Sequence, residues 1–212
     1  MKIFFDTEFT GLHANTTLIS IGMISDNNRK FYAELTDFSR EQLDDWIKDN
    51  VISNLMFKSI INKDITKAMQ LEDTLVVLGN KQFVRMKLLE WLDSFEDKIQ
   101  FVSDVCHYDM VLLIDLLAGN ALNLPDYISP VCHDINQDIA YLLNITDQEA
   151  FNLNREKLAG ITNNVTKHNA LFDAEVIKAI HDKLPFLEIW KVNNRDMLDE
   201  IEGYICKKET NE

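Results

Sequence analysis

Two β-rich runs, LISIGMIS (18–25) and KFYAEL (30–35), are separated only by Asp26, Asn27, Asn28 and Arg29. Turn formers between two apolar runs of strand composition predict a β-hairpin. A hairpin alone is marginal in water and needs further strands or helices to cover it. The flanking sequence supplies both. KIFF (2–5) and IQFVS (99–103) read as short buried strands. FSREQLDDWIKDNVISNL (38–55) carries the 3.6-residue period through Leu43, Trp46, Ile47, Val51 and Leu55, with Ser39 and Gln42 at capping-box spacing. KQFVRMKLLEWLDSF (81–95) is an amphipathic helix through Phe83, Val84, Leu88, Leu92 and Phe95. YDMVLLIDLLAG (108–119) is a helix stopped by Gly119, INQDIAYLL (135–143) is another, and HNALFDAEVIKAIHDKL (168–184) is a third with Asn169 as its N-cap. Residues 56–80 are expected to be irregular with a short helix, and the polar, Asn-rich stretch 144–167 a loop with a short helix. Strands and helices mixed in this order predict one α/β domain with a central sheet over residues 1–192, followed by a charged tail over 193–212.

Composition narrows the function classes. Hydrophobic residues make up 46% and charged residues 26%, the balance of a soluble globular chain. No apolar run approaches a membrane-spanning length and no signal-peptide pattern opens the chain, so a cytoplasmic protein with no membrane partner is expected. The three cysteines, Cys106, Cys132 and Cys206, form no CxxC pair, which argues against a zinc site or a disulfide framework. The formal charge of −14 excludes a broad basic surface for gripping a duplex. It leaves room for an enzyme that holds a strand end through bound cations, because such ions invert the local field.

Acidic residues fall in three telling places. Asp6 and Glu8 follow the first strand, two residues apart, so that in an extended segment both side chains share a face. Asp109 lies six residues past the strand at 99–103. Asp173 opens the last helix, five positions after His168. Hard divalent cations take oxygen ligands, and carboxylates from separate elements are what a two-metal phosphodiester site requires. Alone, each is most simply a solvated strand end, a first-turn helix acid or a loop histidine; in this order they form a set.

FDTEFTGL, VSDVCHYDMVLL and HNALFDAEV resemble, in order, the three exonuclease motifs of the DEDDh-type 3′–5′ exonucleases of the ribonuclease-H-like superfamily. The His-x4-Asp spacing of the third is that of the histidine-bearing branch. The hairpin and the Trp46–Val51 helix also resemble compact exoribonucleases of bacteria and their phages. The resemblance implies a ribonuclease-H-like mixed central sheet flanked by helices, and release of nucleoside 5′-monophosphates from single-stranded RNA or DNA 3′ ends, RNA favoured. It implies two divalent cations, Mg²⁺ or Mn²⁺. Asp6 would bridge both ions, Glu8 and Asp173 would complete the first ion's shell, and Asp109 would sit at the second through its carboxylate or a water. His168 would be the general base. Phe9, Thr10, Gly11 and Leu12 would cradle the terminal nucleotide. Many relatives dimerise, and the apolar helix faces permit a homodimer.

The second motif departs from the family, with Asp104 and Val105 where many members carry His-Asn. Asp104 is thereby an alternative third carboxylate; the aromatic before Asp109 and Leu113 after it keep the family's spacing and favour Asp109. His107 reads as a loop residue and His181 as a helix-face residue. His13 is a candidate for approaching substrate. His133 with Asp134 and Asp138 looks metal-like by composition, with Asp138 read as a helix-start anchor or a support to the site. Cys106 has no evident partner base, which argues against thiol chemistry. The competing functions are a DNA-directed, proofreading-type exonuclease, a non-catalytic acidic protein docking on a basic partner, and an endonuclease of the ribonuclease H type.

Overall fold

The structure, a computed structural model, describes residues 1–59, 65–161 and 168–186. In chain order it contains β1 (Lys2–Phe9), β2 (Leu18–Ser25), β3 (Lys30–Leu35), α1 (Asp45–Asn50), β4 (Lys67–Leu71), β5 (Thr74–Gly79), α2 (Lys81–Asp93), β6 (Gln100–Ser103) and α3 (His107–Ala118). β7 (His133–Asp134), α4 (Ile135–Leu143), α5 (Asp147–Asn152), α6 (Arg155–Ala159) and α7 (Ala170–Lys183) follow. The strands form one sheet in the order β4-β5-β3-β2-β1-β6-β7. β2 lies between β1 and β3 and runs antiparallel to both, whereas β6 runs parallel to β1 and β5 parallel to β3.

Strand alternation divides the core into two layers. Ile3 and Phe5, with Ile21, Met23 and Phe31, pack on the face covered by α2 and α3. Phe4, Ile24 and Val102 pack on the opposite face, under α4 to α7. A third, smaller cluster joins Ile19 to Phe38, Ile47, Val51 and Leu55.

The predicted hairpin forms, with Ser20 opposite Glu34 and Ile24 opposite Lys30, and Asn28 takes the left-handed turn position (φ 66°). The helix at 135–143 is present as expected, those at 81–95, 108–119 and 168–184 are present with shifted ends, and Gly119 stops α3 in a left-handed conformation. Five expectations are corrected. β1 continues to Phe9, so Asp6 and Glu8 lie within a strand rather than past its end. The helix expected over 38–55 is broken into α1 and two 3₁₀ turns. Ser39 makes no side-chain cap; Asp44 instead accepts a bond from the Ile47 amide, and Trp46 is left 55% exposed while Ile47, Val51 and Leu55 are buried. The region 56–80 contains the β4–β5 hairpin: the Thr74–Gly79 run, TLVVLG, has strand composition and pairs with β3. Of the stretch 144–167, the described part to residue 161 holds two short helices, capped by Thr146 and Asn154. The tail over 193–212 and the domain boundary at 192 lie outside the described residues.

Candidate metal centre and active-site cavity

Asp6 and Glu8 alternate with buried Thr7 on β1, so both carboxylates face the side covered by α7. Opposite Asp6 stands Gly22 of β2. A Cβ there would lie 2.2 Å from the backbone N and Cα of Leu171, so only glycine lets the first turn of α7 rest directly on the sheet. Asn169 caps that helix by accepting from the Phe172 amide. The close seat brings Asp173 to the strand: carboxylate oxygens of Asp6, Glu8 and Asp173 lie within 4.8 Å of one another. They line a cavity of about 750 Å³ together with Asp109 and His168.

Asp109 is held differently. The last β1–β6 pair is Phe4 with Val102, and beyond it the Thr7 amide donates to Asp109 Oδ1 at 3.1 Å. The Thr7 hydroxyl donates to the same oxygen, and Ser103 Oγ donates to Oδ2 at 3.2 Å. A side chain from α3 thus stands where the sheet ladder would have continued. Asp109 is 6% exposed and lies beside the triad rather than within it.

The electrostatics are those of a site built for cations. Burial, reinforced by Asp109, Asp173, Glu8 and Asp104, holds the Asp6 carboxyl well above its ordinary range. Burial and the charges of Asp173 and Asp109 push Glu8 up to about 8. Burial lifts Asp109 to about 6 against the opposing bonds from Thr7 and Ser103. Converging carboxylates that resist ionising together gain most from a divalent cation, and an all-oxygen donor set suits Mg²⁺ or Mn²⁺. The residues present therefore fit such ions.

His168 lines the cavity in a left-handed conformation (φ 61°), its ring 4.9 Å edge-on from Trp46. Non-glycine residues with positive φ recur at functional sites. The wall carrying Trp46 is anchored twice. Buried Glu34 accepts from the amides of Met56 at 2.6 Å and Phe57 at 3.1 Å and from Tyr32 Oη at 2.8 Å, while Asn169 Nδ2 donates to the Asn54 carbonyl at 3.3 Å.

Of the four residues expected to cradle substrate, Phe9, Gly11 and Leu12 line the cavity. Phe9 stacks on Tyr108 with ring centroids 5.6 Å apart, and Leu12 is 77% exposed. Thr10 is buried, its hydroxyl bonded to Gln42 at 2.5 Å, so its side chain supports the loop from behind. His13 does not line the cavity. His133 bonds Asp138 at 2.7 Å rather than joining a metal group, and Asp134, not Asp138, caps α4. His181 packs on Phe4 and bonds Lys2 at 2.8 Å. Cys106 and Cys132 are free, and burial raises both thiols, Cys132 strongly, against thiolate formation. Asp104 is engaged by Arg155, whereas Asp109 is the acid buried beside the triad. Sequence reasoning missed Asp44, Phe151 and Arg155 as cavity residues, and assigned Trp46 to a core helix face. The short capped helix beginning at Asn154 was the available signal for Arg155.

No protein-family model matches the chain. A 3′-5′ exoribonuclease of Mycobacterium tuberculosis, found in strains H37Rv and CDC 1551, is 29% identical over 138 residues, spanning 65% of this chain and 73% of the relative. Among solved structures, a 3′-exonuclease described in 3′-end-specific recognition of histone mRNA stem-loop superposes with a TM-score of 0.58 at 13% identity, covering 86% of this chain and 63% of that one. The Mg²⁺- and Mn²⁺-bound form of Pop2p from S. pombe gives 0.54 at 14% identity, with 92% and 84% covered. A full-length 3′-exonuclease gives 0.56 at 13% identity, with 88% and 81% covered. At these identities the superpositions speak for the fold alone. The chain is thus similar in sequence to a 3′-5′ exoribonuclease over 138 residues and shares its fold with solved 3′-exonucleases.

Proposed function

We propose that this protein is a divalent-cation-dependent 3′–5′ exoribonuclease of the histidine-bearing branch, removing nucleoside 5′-monophosphates from single-stranded 3′ ends. The observation that carries the reading is the convergence of Asp6, Glu8 and Asp173 within 4.8 Å at the floor of an open cavity. Those three carboxylates would hold the divalent cations, supported by Asp109, whose oxygens are held in place by Thr7 and Ser103. Bound there, the ions would lower the pKa of the attacking water and neutralise the leaving oxygen. His168 takes the water's proton, and Trp46 limits where its ring can swing. Phe9, Gly11 and Leu12 receive the terminal nucleotide, by a base contact that tolerates any sequence. The lean towards RNA is supported by the exoribonuclease relative.

Matched RNA and DNA oligonucleotides, 3′ single-stranded and labelled at the 5′ end, test this with Mg²⁺, Mn²⁺ or EDTA. The expected result is a metal-dependent ladder shortening from the 3′ end, faster on RNA. Faster DNA decay overturns the RNA preference; cleavage of a circular RNA overturns the exonuclease reading; no hydrolysis in any metal favours a binding protein.

A further inference from the structure

Asp104 lines the same cavity as the triad, one residue past the end of β6, and its charge helps push the Asp6 and Asp109 carboxyls up. It is an acid beyond the four that the motifs supply, and both its oxygens are taken. Arg155 at the start of α6 donates Nε to Asp104 Oδ2 at 2.6 Å and Nη2 to Oδ1 at 3.1 Å. Asn136, only 5% exposed at the start of α4, donates Nδ2 to Oδ1 at 2.7 Å. The same Nη2 also bonds Asn136 Oδ1, and Nη1 donates to the Ala150 carbonyl at 2.7 Å. A guanidinium has five N–H donors, and the remaining direction meets the Leu153 carbonyl at 3.5 Å. Arg155 is therefore committed to protein acceptors and is not poised as a clamp for a substrate phosphate. The fork geometry, matched to a carboxylate and permanently charged, is what a lysine could not reproduce.

We propose that Arg155 is a positioning residue of the ion site: by occupying both oxygens of Asp104 it withholds a further carboxylate from the ions and fixes the charge that they meet. The knot also explains a local cost. Val105, next to Asp104, sits at φ 55°, a rare conformation for a β-branched residue, and the turn it makes leads straight into the helix that carries Tyr108 and Asp109. Tied directly to α4 and α6, and through Arg155 to α5, Asp104 holds that turn.

This inference rests on the metal-binding reading above, and its test keeps the two apart. Mn²⁺ binding is measured by titration calorimetry on metal-stripped full-length protein, without substrate, for the parent, Arg155→Met, Asp104→Asn/Arg155→Met and Arg155→Lys. Arg155→Met is expected to bind Mn²⁺ more tightly by roughly fivefold or more, the scale of one unmasked charge in a partly solvated site. The double variant is expected to lose that gain, and Arg155→Lys to show a smaller one, since an ammonium cannot span both oxygens. Unchanged or weaker binding by Arg155→Met, or a gain that persists in the double variant, overturns the role of Arg155. If Arg155→Met does not fold by circular dichroism, Arg155→Lys decides, and parent-like affinity there overturns the proposal. A parent that binds no Mn²⁺ overturns the metal reading itself.

Discussion

Asp6, Glu8 and Asp109 work against the fold that holds them. Their raised carboxyl pKa values mean that, without ions, the folded state keeps protons that the unfolded chain has released. Stability contributed in this way is present at low pH and lost as pH rises from the ordinary carboxylate range towards about 8 for Glu8 and about 6 for Asp109. Thermal melts in EDTA should therefore fall between pH 5 and pH 8; a flat or rising profile would contradict the electrostatics described. Asp6→Asn should raise the melting temperature in EDTA while cutting activity by roughly hundredfold or more, the scale of losing a group that a metal site depends on. An oligonucleotide assay beside the melt reads both arms. The residues of the three motifs were legible in the sequence because chemistry demands particular side chains at particular spacings. The Asp109 bonds to Thr7 were not, because nothing in a sequence says where a strand's neighbour stops.

Elements turn these residues into a site through two contacts that leave no polar motif. Gly22 is the first: α7 sits on β2 with no room for a methyl group. Gly22→Ala should cost about 1–3 kcal/mol in denaturant unfolding, the range for overpacking, and should also slow turnover by displacing Asp173. Unchanged stability would mean that α7 is not seated as described. Glu34 is the second, wholly buried and satisfied by two backbone amides and a tyrosine hydroxyl. Glu34→Leu should strand those amides at a cost of roughly 1–3 kcal/mol each and should speed hydrogen exchange over residues 44–57, while leaving exchange in β1 close to the parent. Periodicity made α2, α3, α4 and α7 readable. It misread 38–55, where Trp46 belongs to the cavity and so interrupts the apolar face, and 56–80, where β5 depends on pairing with β3 rather than on its own pattern.

For the whole molecule, the formal charge of −14 sets how it meets a polyanion. With so large a negative charge, affinity for RNA should run through the ions rather than through phosphate–lysine contacts. Asp173→Asn tests this by filter binding. Its affinity for a single-stranded RNA should be weak, with a shallow salt dependence, and the parent in EDTA should behave alike; strong, steeply salt-dependent binding in EDTA would show a basic surface at work. Mn²⁺ at about a hundredfold excess over its Kd should stabilise the parent by about 2.7 kcal/mol, which for a chain of this size shifts the melting temperature by about 5–10 °C.

The position of Asp6 and Glu8 inside β1 carries a last consequence. β1 bonds to β2 on one side and to β6 on the other, and its two faces are covered by different helical layers. Ligands rooted there cannot be carried by a surviving fragment or regained by a loop settling back into place. Hydrolysis should therefore report on the integrity of both layers at once: in a urea series, activity and the circular dichroism of the sheet should vanish along a single curve. Loss of activity ahead of the sheet would mark the α7 layer as the part that lets go first.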